Sequence, residues 1–192
     1  MSRLLERSFN LGLAAPVTTL NAVDESRLRR VVSEQFEVLW RFLRRLGISE
    51  SDTDDAVQEV VLVLARKLDQ VAVGCERSFV LSTAFRVASG FRRAGRRRRE
   101  VDDSALNELE CPELNPEALV EKQRLRAVLQ RVLNDLPLEL RAVFVLYELE
   151  ELTMAEIAAT LQLPPGTVAS RLRRSREQFE SLAARAVQGM AS

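Results

Sequence analysis

The sequence predicts an all-α protein built from two small helical domains joined by an acidic flexible linker, and three observations carry that prediction. Apolar residues recur at three- and four-residue spacing on both sides of the chain's middle. Strand signals are weak, with no alternating run and no Asn-Gly hairpin. Between the two periodic halves lies an aperiodic, strongly charged stretch. The length of 192 residues suits one ordinary domain or two small ones.

Residues 1–23 open the chain. Ser8 to Val23 carries no charge, but Asn10, Gly12, Pro16, Thr18, Thr19 and Asn21 interrupt it, so it is expected to be a mobile N-terminal extension rather than a signal peptide. From Asp24 the pattern is helical, with Leu28, Val31, Val32, Phe36, Leu39, Phe42, Leu43 and Leu46 on one side and Gly47 as the C-terminal stop. A second helix starts in the cluster Ser49, Ser51 and Asp52, whose oxygens suit the unpaired amides and positive dipole of a helix start. It continues through Val57, Val60, Val61, Leu64 and Leu68, and its opposite face carries Asp54, Asp55, Gln58 and Glu59. A third helix is expected over Ser78 to Phe91, with Phe79, Leu81, Phe85 and Ala88 inward.

Charge then segregates. Ala84 to Arg99 holds seven arginines (Arg86, Arg92, Arg93, Arg96, Arg97, Arg98, Arg99) and no acid. Glu100 to Glu121 holds eight acids (Glu100, Asp102, Asp103, Glu108, Glu110, Glu113, Glu117, Glu121) and no base. Residues 100–115 are read as the linker, which reaches roughly 55 Å when extended. Asn115 with Pro116 marks a new helix start. That helix runs to about Leu136 through Leu119, Leu125, Val128, Val132 and Leu133, and Pro137 opens another bearing Leu140, Val143, Phe144 and Tyr147. The expected domains are therefore 24–99 and 116–188.

The most informative segment follows the acidic run Glu148 to Glu151. Thr153 and Glu156 form a capping box; Ile157, Ala158 and Leu161 make a short apolar helix; Leu163-Pro164-Pro165-Gly166 breaks it. A last helix runs from Thr167 to about Ala184, with Val168, Leu172, Phe179 and Leu182 on one side and Thr167, Ser170, Arg171, Arg173, Arg174 and Arg176 on the other. Two helices joined by a tight turn, the second free of acids from Leu161 to Arg176, read as a helix-turn-helix whose second helix enters a DNA major groove. The competing account is a solvated arginine face on a structural helix; the capping box, the turn and the one-sided charge together favour DNA. For the run Arg92 to Arg99, a solvated tail competes with phosphate contacts, with nearby phenylalanines available to stack on unpaired bases.

Composition excludes much else. With 28 Lys+Arg against 28 Asp+Glu, the net charge is zero, and there is no histidine. That removes Ser-His-Asp and Cys-His nucleophile pairs and imidazole metal sites. Cys75 and Cys111 stand apart with no C-x-x-C spacing, as expected for reduced thiols of a cytoplasmic protein. The glycines spell neither phosphate-cradle motif. No catalytic residue, cofactor or metal is expected, and no segment reaches the ~18 apolar residues of a membrane helix. Only Lys67 and Lys122 are lysines, so arginine forks dominate the basic charge.

Three stretches resemble the extracytoplasmic-function group of bacterial RNA polymerase sigma factors in the sigma-70 family. Asp54-Asp55-Ala56-Val57-Gln58-Glu59-Val60 resembles the family's region 2 helix, and Phe85-Arg86-Val87-Ala88-Ser89 its Tyr-Arg-Ile-Ala segment. Leu136 to Arg141, Leu152 to Ala158 and Pro165 to Arg176 resemble region 4. The resemblance implies that Asp54, Asp55, Gln58 and Glu59 bind the clamp helices of the largest polymerase subunit. It implies that Arg86, Arg92, Arg93, Arg96 and Arg97 engage the single-stranded -10 element, and that Thr167, Ser170, Arg171, Arg173, Arg174 and Arg176 read the -35 element while their domain sits on the flap of the second-largest subunit. An anti-sigma factor is a further implied partner. The chain departs from the family at Thr83, where Trp is usual, at Gly90, where Asn is usual, and at Ala169, where a basic residue is common. A free-standing helix-turn-helix regulator is the alternative; the acidic helix and the arginine cluster of the first half are features such a regulator does not need. An adaptor protein without DNA contact is disfavoured by the recognition-helix arginines.

Overall fold

A computed structural model describes residues 22–99 and 116–188, with side chains over 24–93 and 123–188. Every regular element among these residues is helical. The expected extension and the expected linker lie outside the described residues.

The first bundle has three helices. α1 (Ala22–Arg45) buries Leu28, Val31, Val32, Leu39, Phe42 and Leu43, as its spacing predicts. Asp24 and Glu25 sit in its first turn and Arg44 and Arg45 in its last, each matching the dipole end. It stops at Gly47, whose φ is +92°. There the Ile48 amide bonds Leu43 O at 3.2 Å and the Gly47 amide bonds Arg44 O at 2.9 Å, the paired bonds of a Schellman turn. α2 (Glu50–Lys67) starts at Ser49, whose hydroxyl accepts from the Asp52 amide at 3.2 Å. It buries Thr53, Ala56, Val57, Val60 and Leu64 and ends in a tight 3-10 turn at Leu68–Gln70. α3 (Glu76–Arg99) buries Val80, Leu81, Ala84, Val87 and Ala88. It runs eight residues beyond Phe91, the end the sequence suggests, because arginine is a good helix former and neither Gly90 nor Gly95 breaks the backbone. The three helices pack pairwise.

The second bundle begins with α4 (Pro116–Asp135). Leu125, expected inward, is 57% exposed. Arg124 to Ala127 are all exposed while Val132, Leu133 and Leu136 are buried, so among the described residues α4 packs along its C-terminal part and is uncovered over Arg124–Ala127. α5 (Leu138–Phe144) continues as a π-helical turn, Val145–Leu149, a widening that apolar spacing alone does not signal. The Glu150 amide returns to Val145 O at 3.0 Å and closes this wider turn. α6 (Met154–Leu161) and α7 (Pro165–Gln188) complete the bundle, Ile157, Val168 and Leu172 forming their shared seam. The Phe144 and Phe179 rings stack at 4.5 Å between centroids, tying α7 to α5.

The two bundles touch. Buried apolar residues of both belong to one continuous cluster, in which Leu46 and Ile48 share a core with Leu133, Leu136 and Val143.

Candidate nucleic-acid interface

The helix-turn-helix is held by local chemistry visible residue by residue. The Thr153 hydroxyl accepts from the Glu156 amide at 3.3 Å, and the Glu156 carboxylate accepts from the Thr153 amide at 2.8 Å and the Thr153 hydroxyl at 2.7 Å. Those side-chain and backbone bonds from Thr153 hold the Glu156 carboxyl below its ordinary pKa. α6 ends at Gln162 in left-handed backbone (φ +55°), and the amides of Thr167 and Val168 both return to Pro164 O, at 2.9 and 3.1 Å. α7 thus begins at Pro165, two residues earlier than expected, with proline pre-set for a first helical position.

This frame presents the predicted residues on one face. Ser170, Arg173, Arg174 and Arg176 are exposed, and Thr167 and Arg171 are half-buried. No acid lies in the first turn of α7, so the dipole's positive end adds to the arginine charge. Two arginines are already engaged: Arg173 pairs with Glu177 at 2.6 Å, and Arg176 pairs with Glu148 at 2.6 Å while lying 5.0 Å over the Tyr147 ring. The bond to Glu148 raises the Arg176 pKa. Among the described residues, Arg171 and Arg174 make no ion pair. The Ser170 hydroxyl is turned back to Thr167 O at 3.0 Å.

In the first bundle, Arg86 is exposed on α3 and donates to the Ser82 hydroxyl at 2.9 Å; Arg93 is exposed and Arg92 half-buried. The helical backbone carries Arg96 and Arg97, whose side chains lie outside the described residues. Asp54, Asp55 and Glu59 are exposed on α2 and Gln58 is half-buried, so the four form one acidic face opposite the buried stripe.

An open groove of about 510 Å³ separates α2 from α3, lined among others by Phe79, Thr83, Arg86, Gly90 and Phe91. Thr83 and Gly90, two of the positions that depart from the family pattern, therefore meet in one space. Thr83 is 4% exposed and its hydroxyl has no hydrogen-bond partner among the described residues. The phenylalanines at 79, 85 and 91 are only partly buried.

Two charged residues whose burial the sequence does not announce are buried. Arg141 is 1% exposed, and Glu150, within the acidic run Glu148 to Glu151, is 5% exposed. The π-helical turn before Glu150 swings it inward, where Arg45 meets its carboxylate at 2.6 Å and Arg41 at 3.7 Å. The only hint in the sequence was an acid directly after an apolar helix end.

The profile of the family "Sigma-70, region 4" matches residues 126–179. The ECF RNA polymerase sigma factor SigE of Mycolicibacterium smegmatis is 31% identical over 156 residues, 81% of this chain and 61% of that protein. The ECF RNA polymerase sigma-E factor of Escherichia coli K12 is 30% identical over 147 residues, 70% of this chain and 75% of that one. Among solved structures, CnrH in complex with the cytosolic domain of CnrY aligns with a TM-score of 0.61 at 19% identity, covering 94% of each chain. The sigma factor RpoE in complex with the anti-sigma factor NepR from Bartonella quintana aligns with a TM-score of 0.64 at 19% identity, over 80% of this chain and 94% of that one. The helix-turn-helix, the two-bundle fold and these relatives together lead to one assignment: this chain belongs to the extracytoplasmic-function sigma factors of bacterial RNA polymerase.

Proposed function

We propose that the chain acts in the cytoplasm as an initiation factor that binds core RNA polymerase, directs it to a promoter and helps open the strands. It acts by binding and has no catalytic step of its own. The observation that carries this reading is the capped helix-turn-helix with an acid-free arginine face, in one chain with a second bundle that separates an acidic face from a basic helix.

In this reading residues 24–99 form the region 2 domain, 100–115 the linker and 116–188 the region 4 domain. Asp54, Asp55, Gln58 and Glu59 dock on the basic clamp surface of the largest subunit, where opposite charge steers the encounter. Arg86, Arg92, Arg93, Arg96 and Arg97 hold the phosphates of the opened -10 strand, and the groove beside Thr83 and Gly90 receives an unstacked base between Phe79 and Phe91. Thr167, Ser170, Arg171, Arg173, Arg174 and Arg176 read the -35 duplex, with Arg171 and Arg174 carrying the base-edge contacts. An acidic linker suits the basic path through the polymerase cleft. The fold neighbours were solved with CnrY and NepR bound, which supports an anti-sigma partner here as well.

The test is run-off transcription with purified core polymerase, followed by genome-wide mapping of start sites. The expected result is a set of core-dependent starts preceded by a shared pair of elements. A complete lack of core-dependent transcript, with duplex binding retained, points instead to a free-standing regulator.

A further inference from the structure

The polar side chains of α7 do not hold equal places on its surface. Successive residues step about 100° round an α-helix, which sets Arg171 and Arg176 about 140° apart, on the two flanks of the buried stripe Val168, Leu172 and Ser175. Arg174 lies about 60° from Arg171, on the side away from that stripe. Arg176 also stands well beyond the start of the helix at Pro165, roughly 17 Å along the axis at about 1.5 Å per residue. A recognition helix reads bases through its N-terminal turns, where Arg171 and Arg174 sit and Arg176 does not.

What faces Arg176 is its own protein. Its Nε donates to a Glu148 carboxylate oxygen at 2.7 Å, and its Nη2 meets the same oxygen at 2.6 Å. The guanidinium carbon lies 5.0 Å from the centre of the Tyr147 ring. Tyr147 and Glu148 both belong to the π-helical turn Val145–Leu149 that follows α5, a rare element that concentrates at functional positions. The neighbouring turns of the two helices meet through the stacked rings of Phe144 and Phe179, and Ser175 beside Arg176 is fully buried. Ring stack and ion pair together therefore fix where α7 rests against the π-helical turn. Arg173 is different: its partner, Glu177, is on α7 itself and fixes nothing about where that helix sits.

The sign of Glu148 points the same way. A carboxylate at the rim of a surface that approaches phosphates is repelled by them, so an acid there is a liability for DNA binding unless it serves the arginine it holds.

We propose that Glu148 and Arg176 form a strut that positions the recognition helix, setting its projection from the bundle so that Arg171 and Arg174 reach the -35 base edges. Arg176 is then a positioning residue, acting through α7 rather than on DNA. This rests on the sigma-factor reading above and refines it, leaving the -35 contacts to the earlier turns of α7.

The test uses the full chain assembled with core polymerase and a labelled duplex carrying the upstream element shared by the mapped start sites. Arg176→Ala, Glu148→Gln and the double variant are compared with wild type, each well below its own melting transition. A strut predicts that all three weaken binding alike, by about fivefold or more, the lower end of what one base contact contributes. Glu148→Gln gives the discriminating sign, because removing an acid from a DNA-binding surface otherwise strengthens binding or leaves it unchanged. Tighter or unchanged binding by Glu148→Gln, or losses that add in the double variant, overturns the strut. Unchanged binding by every variant with a lowered melting temperature overturns it too, and leaves a pair that only stabilises the fold. If Arg176→Ala does not fold, Glu148→Gln decides alone by the same sign. Absence of duplex binding by the wild-type holoenzyme removes the sigma-factor reading, and the strut with it.

Discussion

Replacing Gly47 by alanine isolates a contact between the two bundles. Two costs are expected. At φ +92° a Cβ crowds the backbone, worth about 1–2 kcal/mol. The added Cβ also lies 2.5 Å from Arg141 Nη1 and 3.0 Å from the Asn134 side-chain oxygen. The guanidinium must move, which breaks its 2.8 Å bond to Leu46 O; losing a charged, buried hydrogen bond costs about 1.5–3 kcal/mol. Gly74 supplies the control, because its φ is +88° and nothing lies within 4 Å of a Cβ built there. The backbone cost is shared, so the difference between the variants reports the Arg141 contact alone. For a chain of this size 1 kcal/mol shifts Tm by roughly 2–4 °C. Gly47→Ala is therefore expected to lower Tm by roughly 5–20 °C and Gly74→Ala by roughly 2–8 °C in differential scanning calorimetry at pH 7. Equal losses in the two variants refute the argument that Gly47 is fixed by its approach to Arg141 rather than by its dihedral angle.

Three further outcomes are expected. Arg171→Ala and Arg174→Ala each weaken binding to the cognate -35 duplex by about 1–3 kcal/mol, measured by fluorescence anisotropy with a holoenzyme, and unchanged affinity in both removes them from the reading face. The double variant Asp55→Lys, Glu59→Lys loses co-purification with core polymerase while keeping its thermal stability, and a retained complex rejects the acidic docking face. Glu76 gives a pH signature. Burial pushes its carboxyl pKa up, but bonds from Arg27 at 2.8 Å, from its own amide and from the Gly74 amide at 2.6 Å outweigh burial and hold it below the ordinary value. A depressed carboxyl adds stability above its unfolded pKa, and that stability is lost as pH falls through the folded one. Wild type is therefore expected to lose stability on acidification from about pH 5 downward more steeply than Glu76→Gln, and parallel pH profiles contradict this.

Helix positions and the exposed arginine face of α7 were legible because they depend on short-range chemistry. The stripe from Leu28 to Leu46, the cap at Ser49, the box at Thr153 and Glu156 and the Pro-Gly turn each state their role within a few residues. Misreadings arose where burial depends on what lies across space. Leu125 sits on a regular apolar stripe, yet among the described residues it is left 57% exposed. Arg176 does face outward as its spacing predicts, but its partner was not legible: Glu148, 28 residues earlier, reaches it.

The zero net charge shows the same division. Sequence alone determined that basic and acidic stretches alternate along the chain, that the elements are helices, and that a helix-turn-helix closes it, since charge order, periodicity and capping are local properties. Only the tertiary structure decided that the two bundles share a core and that Glu150 and Arg141 are buried between them. A charged side chain enters an interior only where partners from distant segments replace its water. Here Arg45 lies 105 residues from Glu150 and Leu46 lies 95 residues from Arg141, separations that no local pattern encodes.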